Sequence, residues 1–344
     1  MKIQIAAPLA LHERGQRPDN EDNLFPAIGK SSPDSRLFLV CDGVGGADKG
    51  EVASAIVCRS VPHYFSQVGI TISDAKVISD AVGYAESELK RHVEQHPETV
   101  TMATTLTLLH LHESGATVAH IGDSRVYHIR NGHIQWQTQD HSFVNELVKS
   151  GIIGSAEARQ HPKRNVITRA LQGNKDRVEA AIQEIEDIQE GDYFFLCTDG
   201  ILEAMEESEL IRILGSQQED TQKIAQIQNE CQRKSRDNFT AFLVRIQSVE
   251  HPDVELIPTE EEPQETPSEK KSISSKQWMW ALTLVNLLLF AAIIYFFYWN
   301  NQPKEPPKEK PKTETQVVQP IPEDKKNKFD SYEAQKIKKE KKKQ

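Results

Sequence analysis

The sequence holds only four cysteines in 344 residues, Cys41, Cys58, Cys197 and Cys231, with no pair at CxxC spacing. That scarcity excludes a disulfide framework and a thiolate zinc site, and the four read as small apolar core residues in a reducing compartment. Positive charge is also short. With 41 Lys and Arg against 51 Asp and Glu, a net charge of −10, the basic face of a nucleic-acid binder is not expected. The stretch "GVGGADKGE" has glycines but no Gly-Lys-Ser/Thr, which removes a nucleotide-cradling P-loop. "DNEDNL" lacks the sixth-position glycine and twelfth-position glutamate of a calcium loop. The opening "MKIQIAAPLALHERGQ" is interrupted by proline and leads into strand-like sequence, so no signal peptide is expected there.

What is present is acid at the ends of apolar strands. "LVCDGVGG" runs from Leu39 into Asp42 and Gly43, and "FFLCTDG" runs from Phe194 into Asp199 and Gly200. An isolated Asp-Gly after a strand is often only a turn. Two of them, at the same edge of one sandwich, would set unpaired carboxylates face to face and call for a cation between them. Further acids stand in turn-like settings in "GQRPDNEDN", "IGDSR" and "RDNFT", giving the set Glu21, Asp22, Asp42, Asp123, Asp199 and Asp237. No HExxH or cysteine pair is present, and no His-x-Glu stands among them. An all-oxygen donor set selects hard divalent ions, Mn²⁺ or Mg²⁺. Two such ions can share a bridging water, lower its pKa and hold it in line with a phosphorus atom. Arg17, in the same loop as Glu21 and Asp22, can clamp a phosphate. No cysteine is followed by arginine at the sixth position, so a cysteine-dependent phosphatase is excluded.

The organisation is that of a globular region over residues 1–247 followed by three different segments. Strands are expected at 3–7, 36–41, 104–112, 116–121, 125–130, 177–185, 192–197 and 239–246, several joined by tight turns such as "ESGA" and "RNGH" that favour antiparallel hairpins. Helices are expected at 50–65, 73–93 with Ser73 as N-cap, 206–214 and 221–231. The mixture is α+β, a sandwich of sheets with helices around them. Residues 248–277 are rich in Glu, Pro, Thr and Ser and read as a solvated linker. Residues 278–299 carry no charge and bear aromatic residues at both ends, the pattern of a membrane-spanning helix, with Asn286 its only strongly polar interruption. Lysines flank this span on both sides, so charge does not orient it; a long folded domain ahead of it is expected to stay in the cytoplasm. Residues 300–344 read as a Lys- and Pro-rich disordered tail.

Taken together, the blocks "GQRPDNEDN", "VCDGVGG", "MATTL", "IGDSRVY", "DHSFVNELVKSGII", "HPKRNVITRAL", "GDYFFLCTDGI" and "RDNFT" resemble, in order, the metal-dependent serine/threonine protein phosphatases of type 2C (PPM) in their compact bacterial form. The resemblance implies a four-layer α-β-β-α sandwich of two antiparallel sheets flanked by helices. It further implies hydrolysis of phosphoserine and phosphothreonine in proteins at a site with two Mn²⁺ or Mg²⁺ ions and a possible third. By motif, Asp42 would bridge the ions with the Gly43 carbonyl also coordinating. Asp199 and Asp237 would hold the first ion, Glu21 and Asp22 would act through waters on the second, and Asp123 with Asp199 would bind the third. Arg17 matches the phosphate-binding arginine, and residues 143–174 resemble a mobile flap that contributes to substrate choice. Two positions depart from the pattern: Val44 stands where many eukaryotic members have a proposed general-acid histidine, and Ala103 where glycine is common. A metal-bound water near Asp123 is one substitute for that acid; His141 is a weaker one and reads better as a turn histidine hydrogen-bonded at the flap base. Implied partners are phosphoproteins and a membrane Ser/Thr kinase that the phosphatase would oppose, with the lipid bilayer met through residues 278–299 of a single-pass cell-membrane protein. The alternative is a catalytically weak pseudophosphatase that binds phosphoproteins from a membrane stalk.

Overall fold

Alternation of side chains along the strands builds the layers. In strand Leu37–Cys41, Phe38 and Val40 point one way and Leu39 and Cys41 the other. Strand Tyr193–Cys197 repeats the pattern, with Phe194 and Leu196 on one face and Phe195 and Cys197 on the other. A strand that is apolar on both faces has to be covered on both faces. The computed structural model, which describes residues 1–44, 49–173 and 177–250, meets that demand with two antiparallel sheets packed face to face and helices outside each. The described residues fall within one compact unit.

The first sheet has the order Lys2–Ile5, Phe239–Glu250, Tyr193–Cys197, Arg125–Arg130, His133–Gln137, and Leu9–Glu13 also pairs with Phe239–Glu250. The second has the order Ala181–Ile185, Gly115–Ile121, Leu106–His112, Leu37–Cys41, Asn23–Phe25. Between them lies a core that includes Phe38, Val118, Phe194 and Phe242, with the Phe38 and Phe242 rings edge-to-face at 5.3 Å. Helices Gly50–Val68 and Ala75–Gln95 cover the second sheet, and helices Asp199–Ala204, Glu207–Leu214 and Asp220–Lys234 cover the first. This is the expected α-β-β-α sandwich. Phe242→Ala is expected to destabilise the domain by about 3–5 kcal/mol, because the cavity would open between the sheets. The denaturation midpoint should fall with the slope unchanged.

Several elements differ from expectation. The helix expected over 73–93 is Ala75–Gln95, capped by Asp74, whose side chain accepts from Val77 N; the Ser73 hydroxyl is instead bonded to His110 Nδ1. The strand expected over 104–112 breaks at Thr105, leaving Ala103–Thr104 in a small sheet with Gly43–Val44 and Leu171–Gln172. The strand expected over 177–185 forms only at Ala181–Ile185, and that expected over 239–246 continues to Glu250. The turn at Asn131 and Gly132 has positive φ at both residues, the hairpin geometry that "RNGH" suggests. All four cysteines are buried and free. Among the described residues no helix is long and apolar enough to cross a membrane. The span expected at 278–299, the tail at 300–344 and all but the first residues of the linker lie outside the described residues, as does Asn174 at the end of the flap.

Candidate functional site

Thr105, at the break in the strand, fixes the end of Leu37–Cys41. Its hydroxyl accepts from Asp42 N at 2.9 Å, its own N–H donates to Asp42 O at 2.8 Å, and the Thr104 hydroxyl donates to the same carbonyl. The chain then passes so close to helix Gly50–Val68 that a Cβ on Gly43 would lie 2.3 Å from the Gly50 carbonyl carbon. Glycine is therefore required at the turn beside Asp42. Gly43 N also donates to Glu21 O at 3.1 Å, and Ser54 Oγ donates to that carbonyl at 2.6 Å. Two loops are thus joined behind the carboxylates of Glu21 and Asp42.

The second strand end is tied in by hydroxyls. Thr198 Oγ1 donates to Asp22 Oδ2 at 3.0 Å and accepts from Thr240 N at 3.0 Å. Asn238 is the hub of the third loop: its Oδ1 accepts from Glu21 N, and its Nδ2 donates to the carbonyls of Arg14 and Asp19. Arg17 Nη2 lies 2.6 Å from Asp237 Oδ2 with its side chain half exposed, so the guanidinium stands at the mouth. Asp22 is only 2% exposed and lies in the interior, beneath the mouth.

Asp123 follows Gly122, which is tied twice to His141: Gly122 N donates to His141 Nδ1 at 3.2 Å, and His141 N donates to Gly122 O at 2.8 Å. The His141 ring stacks on His120 at 4.5 Å, and burial drives its pKa down to about 3. A neutral ring whose Nδ1 accepts is the turn role expected of it. Arg125 clamps Asp140 with two hydrogen bonds, of 2.7 and 2.8 Å, which fastens the flap base to the Asp123 loop from the other side. The flap itself carries two short helices, Phe143–Lys149 and Ser155–Gln160.

The electrostatics show what the loops have gathered. Burial, then repulsion from Asp22, Asp199, Asp123 and Asp237, raises Asp42 well above the ordinary carboxylate range. Burial raises Asp22 to about 8, against the hydroxyls that lower it; burial and Asp199 raise Asp123 to about 7; burial and Asp237 raise Asp199 to about 6. Glu21 is also raised, chiefly by burial. The carboxylates perturb one another, and Arg17 is the cation at their mouth. Among the described residues no group of three His, Cys, Asp or Glu side chains holds an ion by itself. Hard divalent ions do not need one, since they keep several waters and lean on few direct carboxylates. The mutual repulsion of these crowded, partly buried oxygens is the deficit such an ion would remove, so the donor set fits Mn²⁺ or Mg²⁺.

All six acids singled out in the sequence, together with Arg17, belong to these joined loops. Three residues that hold the site escape a search for chemistry: Thr105, Thr198 and Asn238. Their signal is a polar residue at a buried strand end, visible in "MATTL", "CTDG" and "RDNFT". Val44 is 36% exposed beside Gly43 and offers no proton.

The sequence profile of the family described as protein phosphatase 2C matches residues 12–243. A Streptococcus pyogenes protein with a protein phosphatase 2C-type name is 33% identical over 252 residues, covering 72% of this chain and 98% of that protein. The crystal structure of the Mycobacterium tuberculosis serine/threonine phosphatase PstP/Ppp is similar with a TM-score of 0.63 at 30% identity, covering 71% of this chain and 99% of that one. A structure of the PstP catalytic domain in complex with two manganese ions is similar with a TM-score of 0.61 at 29% identity, covering 71% of this chain and all of that one.

Proposed function

The chain belongs to the protein phosphatase 2C family, and on that premise we propose that its carboxylate loops hydrolyse phosphoserine and phosphothreonine monoesters in proteins at a binuclear Mn²⁺ or Mg²⁺ site. The observation that carries this reading is the repulsion among buried Asp22 and half-buried Asp42, Asp199 and Asp123, which a pair of divalent cations would relieve. Asp42 would hold both ions, with the Gly43 carbonyl as a further ligand, Asp199 and Asp237 would hold the first, and Glu21 and Asp22 the second through waters. Asp123 with Asp199 would take a third. When bound, the ions supply a water of lowered pKa and polarise the phosphoryl oxygens.

The chain's own groups do the rest. Arg17 presents a planar, always-charged fork to the phosphate, and Asp237 orients that fork at the mouth. Thr105 and Thr104 hold the Asp42 backbone, so the carboxylate position is set before substrate arrives. Val44 supplies no proton, and His141 is committed through Nδ1 to Gly122. Neither is assigned the proton of the leaving group.

The reading extends to context. Residues 278–299 are long enough to cross a bilayer, where about 20 apolar residues suffice. They would anchor residues 1–247 through the 248–277 linker at the inner face of the cell membrane, with 300–344 as the tail beyond. Anchoring raises the effective concentration of the enzyme near membrane-bound phosphoproteins, such as those phosphorylated by a Ser/Thr kinase it would oppose. The test is hydrolysis of p-nitrophenyl phosphate and a phosphothreonine peptide by the full chain, with and without Mn²⁺, beside Asp199→Ala. Mn²⁺-dependent turnover that the substitution abolishes supports the reading. A folded wild-type chain that stays inactive at saturating Mn²⁺ overturns it in favour of a phosphoprotein-binding module.

A further inference from the structure

The flap is charged against the grain of the molecule. Residues 143–173 carry Lys149, Arg159, Lys163, Arg164 and Arg169 against Glu146 and Glu157, a local net charge of +3 in a chain of net −10. Between 159 and 169 there are four cations and no acid. All five basic residues are exposed. Among the described residues none of them is ion-paired, whereas Arg125, Arg130 and Arg245 each have a carboxylate partner. The Lys163 ammonium is held over the Phe143 ring at 5.1 Å, and His161 packs against the same ring.

This basic surface is anchored beside the candidate site. Thr168 N donates to His141 O at 2.7 Å and Phe143 N to Val166 O at 2.8 Å, while His141 is bonded twice to Gly122, the residue before Asp123. Arg169 and Lys149 lie near enough to the His120 and His141 rings to disfavour their protonated forms. Unpaired cations on a rim beside an acidic centre favour a ligand whose phosphate enters the centre while a second anionic group stays on the rim. Exposed charges act over roughly 10 Å at ordinary ionic strength, the span of a few extended residues.

We propose that the flap reads acidic sequence: its cations bind an anionic group, a carboxylate side chain or a second phosphate, carried by the substrate within a few residues of the phosphorylated one. The proposal rests on the phosphatase reading above and adds the substrate class. The experiment uses the full chain and phosphothreonine peptides flanked by Asp and Glu, by a second phosphothreonine, by neutral residues or by lysines. kcat and KM are measured at low and high salt, and binding of the same labelled peptides is followed by fluorescence anisotropy. Two exposed cations at typical surface strengths predict a preference for acidic over neutral flanks of about three- to tenfold, expressed in KM and shrinking with salt. In the double variant Lys163→Ala/Arg164→Ala the acidic-to-neutral ratio should fall to within about twofold, and Arg164→Glu should favour the lysine-flanked peptide. Peptides flanked by carboxylates and by a second phosphate separate the two anion sources. Equal handling of acidic and neutral peptides, or a preference that survives the double variant, overturns the proposal. Absence of turnover with an intact acidic preference in binding would sink the phosphatase reading and leave the flap assignment standing.

Discussion

Asp42→Ala is expected to lower phosphoester turnover about a thousandfold, the equivalent of roughly 4 kcal/mol of transition-state stabilisation by metal, while raising the stability of the metal-free domain. The two effects share one cause. Asp42 is the acid on which repulsion from Asp22, Asp199, Asp123 and Asp237 converges, and without cations its charge opposes folding. Alanine removes that repulsion, and with it the group proposed to lie between the ions. The sign of the pH dependence follows. A carboxyl whose folded pKa lies above its unfolded value of 3.8 binds more protons folded than unfolded between the two, so stability falls as pH rises through that window. With Asp199 at about 6, Asp123 at about 7 and Asp22 at about 8, the carboxyls' contribution to the stability of chelator-treated protein should fall from about pH 4 to about pH 8; His141 and His110, held near 3 and 4, contribute in the opposite sense up to about pH 6.5, so the melting temperature should decline most clearly between about pH 6.5 and pH 8. Saturating Mn²⁺ should flatten the decline by stabilising the folded state. Differential scanning calorimetry of wild type and Asp42→Ala, each with Mn²⁺ and with chelator, reads both claims. A metal-free Asp42→Ala that melts below metal-free wild type would contradict the account.

Gly200→Ala is expected to cost about 3 kcal/mol of stability and to weaken Mn²⁺ binding by tenfold or more, although it removes no ligand. A Cβ at Gly200 would fall 1.9 Å from the Asn238 carbonyl oxygen, a contact that real Cβ atoms do not make. Relief requires the loops bearing Asp199 and Asp237 to part by about an ångström. Asn238 also holds Glu21 through its side chain, so the Glu21 loop would move with it. Mn²⁺ titration by isothermal calorimetry checks the coupling. Wild-type Mn²⁺ affinity in a destabilised Gly200→Ala would show that the close approach serves packing alone.

What the sequence reveals and what it hides differ by the range of the interaction responsible. The central strands were legible because two-sided burial leaves continuous apolar runs, as in Phe194 to Cys197, and the acids at their ends were legible for the same reason. Helix Ala75–Gln95 was legible through the buried spacing of Ile78, Ala81, Val82, Ala85 and Leu89. Its cap is Asp74 and not Ser73, because both are good caps and the distant His110 engages the Ser73 hydroxyl. Strand Leu9–Glu13 was not foreseen. It exists through pairing with Phe239–Glu250, more than 200 residues away. The break at Thr105 was hidden for a like reason, because its hydroxyl and N–H are taken by Asp42 across the fold. Within the site the acids could be named from motifs, while the neutral residues that hold them, Thr198 and Asn238, look like ordinary loop residues until the loops meet.

The long strand Phe239–Glu250 begins two residues after Asp237 and ends beside Lys2, with Leu9–Glu13 and Lys2–Ile5 laid end to end along one of its edges. Twelve extended residues span roughly 40 Å. The domain therefore has two poles, with the carboxylate loops at one and Glu250 at the other. A load applied through the residues beyond Glu250 would be met first by the clasp of Lys2–Ile5, drawn along the strand in shear, with the whole sandwich between that pull and the carboxylates.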